Sequence, residues 1–145
     1  ETIAHLATIA PVLVLSDGDM VFQPRKIRRA GIADAVAGRV LVYVHKQAVL
    51  DDMQRRYPAT QYAMVDDKPL LLAAMKRVPG IPLQTVFVRQ GHYALAPEAA
   101  QADPAPDWTI ARIGDLRQAG AHDFAPGARH DAPRPVAIHS PEEST

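Results

Sequence analysis

Cysteine is absent from this 145-residue chain, which excludes thiol nucleophiles, disulfides and cysteine-ligated metals and leaves the redox compartment open. Net charge is absent too. The 16 Lys and Arg residues cancel the 16 Asp and Glu residues, so composition carries no footprint for nucleic acid or an anionic membrane surface. No apolar run approaches the length a bilayer demands, and no basic-then-apolar leader opens the chain. The expected compartment is the cytoplasm, with neither nucleic acid nor membrane as partner. Methionine is missing from position 1, where Glu1 stands, so a processed chain or a piece of a longer one is expected. What is present is a hydrophobic content of 48%, enough for a packed core, in a length that suits one domain with four or five strands.

Along the chain, Ile3, Leu6, Ala7 and Ala10 share one side of a helix expected over Thr2 to Ala10, which Pro11 ends. Val12-Leu13-Val14-Leu15 follows, a continuous apolar run of the kind buried on both faces of a parallel sheet, and Ser16-Asp17-Gly18-Asp19 reads as a polar loop. Pro24 suits the first turn of a helix that stops at Gly31. A second strand is expected over Val40 to Val44, a helix over Lys46 to Tyr57, and a third strand over Tyr62 to Asp67. The next helix, Leu70 to Val78, ends near Pro79-Gly80, and Thr85 to Val88 forms a fourth strand. This alternation with short links predicts an α/β layered fold, Rossmann-like, with a mostly parallel sheet. Trp108-Thr109-Ile110 is a candidate edge strand, with Ile113 to Arg117 as one or two helical turns. From Gln118 to Thr145, repeated Pro and Gly predict a mostly disordered tail, so the ordered core is expected over 1–117.

Each of the first three strands delivers a distinctive polar group at its carboxyl end, where open parallel sheets gather their ligands. The first brings Ser16, the second Lys46, and the third the pair Asp66-Asp67. Two adjacent carboxylates disfavour each other's ionisation, and a hard divalent cation relieves that cost. A hydroxyl, an ammonium and a cation held by paired acids together make a phosphoryl-binding set. Each member has a plainer role as well. Asp67 could cap the following helix, Ser16 could cap a turn, and Lys46 could be a surface lysine, although a helix N-terminus is mildly unfavourable for it.

These residues resemble the haloacid dehalogenase-like hydrolases in motif order over roughly residues 10 to 117. Leu13-Val14-Leu15-Ser16-Asp17-Gly18-Asp19 matches the family's second motif, Lys46 its third, and Met64-Val65-Asp66-Asp67-Lys68 its fourth. Asp19 to Lys26 and Thr85 to Ala94 are similar to one bacterial branch of the family. The resemblance implies that Ser16 and Lys46 serve catalysis and that the phosphoryl group rests on Ser16, Asp17, Gly18 and Lys46. It also implies that Asp66 and Asp67 hold Mg²⁺. The implied reaction is phosphatase-type transfer from a small phosphorylated substrate through an aspartyl-phosphate.

The family's first motif, an Asp-x-Asp that supplies the nucleophile, has no counterpart ahead of Ser16: the fifteen residues there contain no aspartate. By resemblance, that motif's strand lies between the strands ending at Ser16 and at Asp66. The expectation is a partial core lacking its central strand, inactive alone, and open to the missing segment or to self-association. Asp17-Gly18-Asp19 as the first motif is the lesser option. A receiver domain is disfavoured because its acids come first and its lysine last. A dehalogenase would have little use for paired acids as metal ligands. A non-catalytic phosphate-binding or interaction protein of the same fold is the alternative.

Overall fold

Val14, Leu15 and Val40 to Val42 are too continuously apolar for a half-wet strand, and they lie side by side in a parallel ladder. In the computed structural model, which describes residues 1–17, 28, 31–43, 46–128 and 130, strand β1 (Val14–Asp17) pairs with β2 (Val40–Tyr43). The register sets Ser16 opposite Val42 and Asp17 opposite Tyr43. Ser16 and Asp17 therefore belong to the strand, not to the loop expected there, because the ladder with β2 carries the extended backbone two residues further.

The remaining strands form a second parallel sheet in the order β3 (Tyr62–Asp66), β4 (Leu83–Val88), β5 (Trp108–Ile110). Every residue of β4 is buried, as befits a central strand covered on both faces. Its side chains alternate between two cores. Leu83 and Phe87 join the larger one, and Val86 and Val88 the smaller. The larger core also takes Leu15 and Leu41 from the two-stranded sheet and Leu13 just before it, so one apolar mass serves both sheets. Among the described residues no strand joins β1 to β3, and the sheet is in two pieces. That break falls where the resemblance places the motif-one strand.

Among the described residues the α-helices are α1 (Thr2–Ala7), which precedes β1, and three that lie between strands: a single turn α2 (Ile32–Ala35), α3 (Lys46–Arg56) and α4 (Pro69–Lys76). Helix α1 stops at Ala7 rather than Ala10. Leu6 packs on the smaller core, and the His5 imidazole donates from Nε2 to the Ala119 carbonyl at 2.7 Å. Gly31 adopts φ 72°, the left-handed geometry expected of a helix stop, and its N–H bonds the Arg28 carbonyl at 3.1 Å. The rest of the helix expected from Pro24 lies outside the described residues.

The boundary expected at 117 does not hold for the residues just beyond it. Ala119 is buried, Ala121–Phe124 form a 3₁₀ turn, and the Asp123 carboxylate accepts the Gly120 N–H at 2.8 Å. His130 stacks on Trp108 with ring centroids 4.1 Å apart, and Phe124 tilts against the same indole. Long-range ring packing orders a segment whose prolines and glycines read locally as breakers. Residues 131–145 lie outside the described residues.

Candidate active site

Strand β3 ends on Asp66 opposite Phe87 of β4, and Asp67 and Lys68 make the turn into α4. Pro69 at the first helical position has no N–H to satisfy and its fixed φ suits the helix start. The N-cap residue is Lys68, with no side-chain cap hydrogen bond, so Asp67 does not cap this helix. Asp66 Oδ1 accepts the Lys68 N–H at 2.8 Å, a short turn that holds its carboxylate at the strand end.

Both acids are half-buried. Burial pushes the Asp66 carboxyl above its ordinary range; the Lys68 N–H opposes this, and the neighbouring Asp67 carboxylate adds to it. Such a pair is costly to hold fully ionised, and the cost is what a cation would remove. The acids open onto a cleft of about 370 Å³ walled by Val65, Val88 and Ile113 on the apolar side and by Gln90 and Gly91 on the other. The loop behind it is fixed from two directions: the Arg89 N–H donates to the Ile110 carbonyl at 2.9 Å, and Gln90 Oε1 accepts the Ile113 N–H at 3.2 Å. Among the described residues, no three metal-ligating side chains of the His, Cys, Asp or Glu kind come together. The acid pair thus offers two ligands of a coordination shell that needs more.

Ser16 is half-buried in β1, and Lys46 is the first residue of α3, the helix that follows β2 in the chain. Parallel pairing puts Ser16 near the carboxyl edge of the two-stranded sheet, while Asp66 and Asp67 stand at the carboxyl end of β3 in the three-stranded one. Gly18 and the side chains of Asp17 and Lys46 lie outside the described residues. Gln90 and Gly91 fall within the Thr85 to Ala94 stretch that resembles one branch of a known family, but nothing local marks a glycine as standing beside a carboxylate 24 positions away.

No family profile matches the chain, and no curated protein matches it. A solved structure from Burkholderia xenovorans LB400, assigned as a haloacid dehalogenase-like hydrolase, is 52% identical, with a TM-score of 0.78 over 83% of this chain. The match covers 55% of that protein, so this chain spans about half its length. Among the described residues no helix is long and apolar enough to cross a membrane. A parallel α/β core at this identity and overlap, with a carboxylate pair closing β3, settles the family: the chain belongs to the haloacid dehalogenase-like hydrolase superfamily.

Proposed function

We propose that these residues form part of a Mg²⁺-dependent, phosphatase-type hydrolase core acting on a small phosphorylated substrate. The observation that carries this reading is the half-buried Asp66-Asp67 pair at the carboxyl end of β3, beside the break in the sheet. Asp66 and Asp67 would hold the cation, whose charge offsets that of the phosphoryl group. Ser16, with the backbone at Asp17 and Gly18, and Lys46 would bind phosphoryl oxygens, the ammonium also steadying the nucleophile.

The nucleophile itself is a carboxylate from outside these 145 residues, carried by a strand that pairs with β1 and β3. One of its oxygens attacks phosphorus, the bond to the leaving alkoxide breaks, and the alkoxide takes a proton. Water then cleaves the acyl phosphate to release inorganic phosphate and regenerate the carboxylate. The test is turnover of an aryl phosphate with Mg²⁺, by this chain alone and with an Asp-x-Asp strand from a longer relative joined in cis or added in trans. Activity is expected only with the added strand. No activity in either form favours a phosphate-binding protein without turnover. Robust turnover by the chain alone, abolished by Asp17→Asn, would move the nucleophile to Asp17.

A further inference from the structure

Two adjacent residues on the turn after β3 meet one loop. A Cβ placed on Gly91 would stand 3.3 Å from Asp67 Oδ2, and Lys68 Nζ lies 4.5 Å from the centroid of the Tyr93 ring. Gly91 has φ +88°, which favours glycine on backbone grounds alone. The close approach is a separate matter. Gly80 has a similar φ of +79°, and a Cβ there would meet nothing within 4 Å.

We propose that Gly91 is a positioning residue for Asp67, its bare Cα being the wall against which the carboxylate is set for a divalent cation. This rests on the reading of Asp66 and Asp67 as cation ligands. A side chain at 91 would force the Asp67 carboxylate to give by a few tenths of an ångström. Mg²⁺ and similar ions hold oxygen ligands at about 2.0–2.1 Å in nearly ideal geometry, so a displacement of that size is read directly in affinity. The loop is suited to the task because the two residues leading into Gly91 are fixed, Arg89 to β5 and Gln90 to Ile113.

The experiment titrates the full 145-residue chain with Mn²⁺, followed by electron paramagnetic resonance, and records melting without cation. It compares the unsubstituted chain, Asp67→Asn, Gly91→Ala and Gly80→Ala. Gly80→Ala carries the same backbone strain without the contact, and should lower the melting temperature while leaving Mn²⁺ affinity unchanged. Gly91→Ala should lower affinity about 10-fold, the low end for residues that orient ligands from behind. Unchanged affinity in Gly91→Ala, with Asp67→Asn weakened, overturns the inference and leaves the cation site standing. No Mn²⁺ binding by the unsubstituted chain, or none lost in Asp67→Asn, overturns the cation site and the inference with it. Should Gly91→Ala fail to fold, Asp67→Ser is added to it. Serine lacks the crowded oxygen, so recovery of the fold supports the contact, and failure to recover overturns it.

Discussion

Asp107 holds Thr85 by backbone and side chain together: Oδ2 of Asp107 accepts the Thr85 N–H at 2.8 Å and the Thr85 hydroxyl at 3.1 Å. The Asp107 N–H donates to the same hydroxyl at 3.2 Å, and Lys76 forms an ion pair with Oδ2. Three elements meet there: the end of α4, the middle of β4 and the residue before β5. Burial alone would raise the Asp107 carboxyl, but hydrogen bonds from Lys76 and Thr85 outweigh it and hold the group below its ordinary range.

A carboxyl held low adds stability that is complete above the ordinary carboxylate range and is lost as pH falls through its lowered value. Asp107→Asn should therefore melt lower than the unsubstituted chain at about pH 7, and the difference should shrink in acid. Asp107→Ala should cost more, about 1–3 kcal/mol, because it also leaves a buried N–H on Thr85 unpaired. Thermal melts across the acid range check both; a gap independent of pH would mean that packing, not charge, is lost.

Asp66 has the opposite sign. Its carboxyl is raised, so its contribution is intact in acid and is lost as pH climbs through the raised value. Asp66→Asn keeps an oxygen for the Lys68 N–H and removes the buried charge. Without divalent cations it should raise the melting temperature at about pH 7 and give no gain in acid. Added Mg²⁺ should stabilise the unsubstituted chain and not the variant. A variant less stable at neutral pH would show that the ionised carboxylate is held by favourable contacts and has no need of a cation.

Ser16 lies in one sheet and Lys46 follows that sheet's second strand, while the acid pair ends β3 of the other sheet, so a shared site demands that one ligand be felt at both. Inorganic phosphate added with Mg²⁺ should shift the amide resonances of Ser16, Lys46 and Asp67 together, with a single midpoint. Lys46→Ala should weaken that midpoint by several-fold, since it removes a full charge from the phosphate. Shifts confined to β1 and α3, with Asp67 unmoved, would separate the two edges into unrelated sites.

The parts legible in sequence are those where local signals agree. An apolar run, then two acids, then proline before another apolar run places β3, the turn and α4 within a residue or two, because strand, turn and helix start each have their own chemistry here. The end of β1 was less legible. Ser16 and Asp17 are poor strand formers, and only the ladder to Val42 and Tyr43, supplied by residues 26 positions away, keeps them extended. The order of residues 119–128 is hidden from the sequence for a similar reason. That order comes from Trp108, which stacks with His130 and packs against Phe124, and such pairings have no local spacing. Of the site, the acids were visible as a pair. The wall of Gly91 behind them was not, since contact between positions 67 and 91 depends on β3 and β4 lying side by side.

The last prediction follows from that same sheet. Strand β1 is bonded to β2 on one side, and β3 to β4 on one side; among the described residues neither has a strand on the other. Unpaired backbone donors and acceptors at a strand edge are costly when buried and recruit other strands when exposed. Both edges border the larger core, which takes Leu15 from β1 and Met64 from β3, so a strand entering there would satisfy backbone groups and cover apolar side chains at once. The chain alone should therefore associate as its concentration rises, seen as a growing sedimentation coefficient. Addition of the Asp-x-Asp strand should return it to a monomeric complex and raise its melting temperature. A proline in the middle of that strand removes one ladder hydrogen bond and should abolish both effects. Replacing its aspartates with asparagine should leave both intact while eliminating turnover, which separates completion of the sheet from supply of the nucleophile. If the 145-residue chain stays monomeric at all concentrations and ignores the added strand, the break between β1 and β3 is closed from within, and the nucleophile must be sought among the chain's own carboxylates.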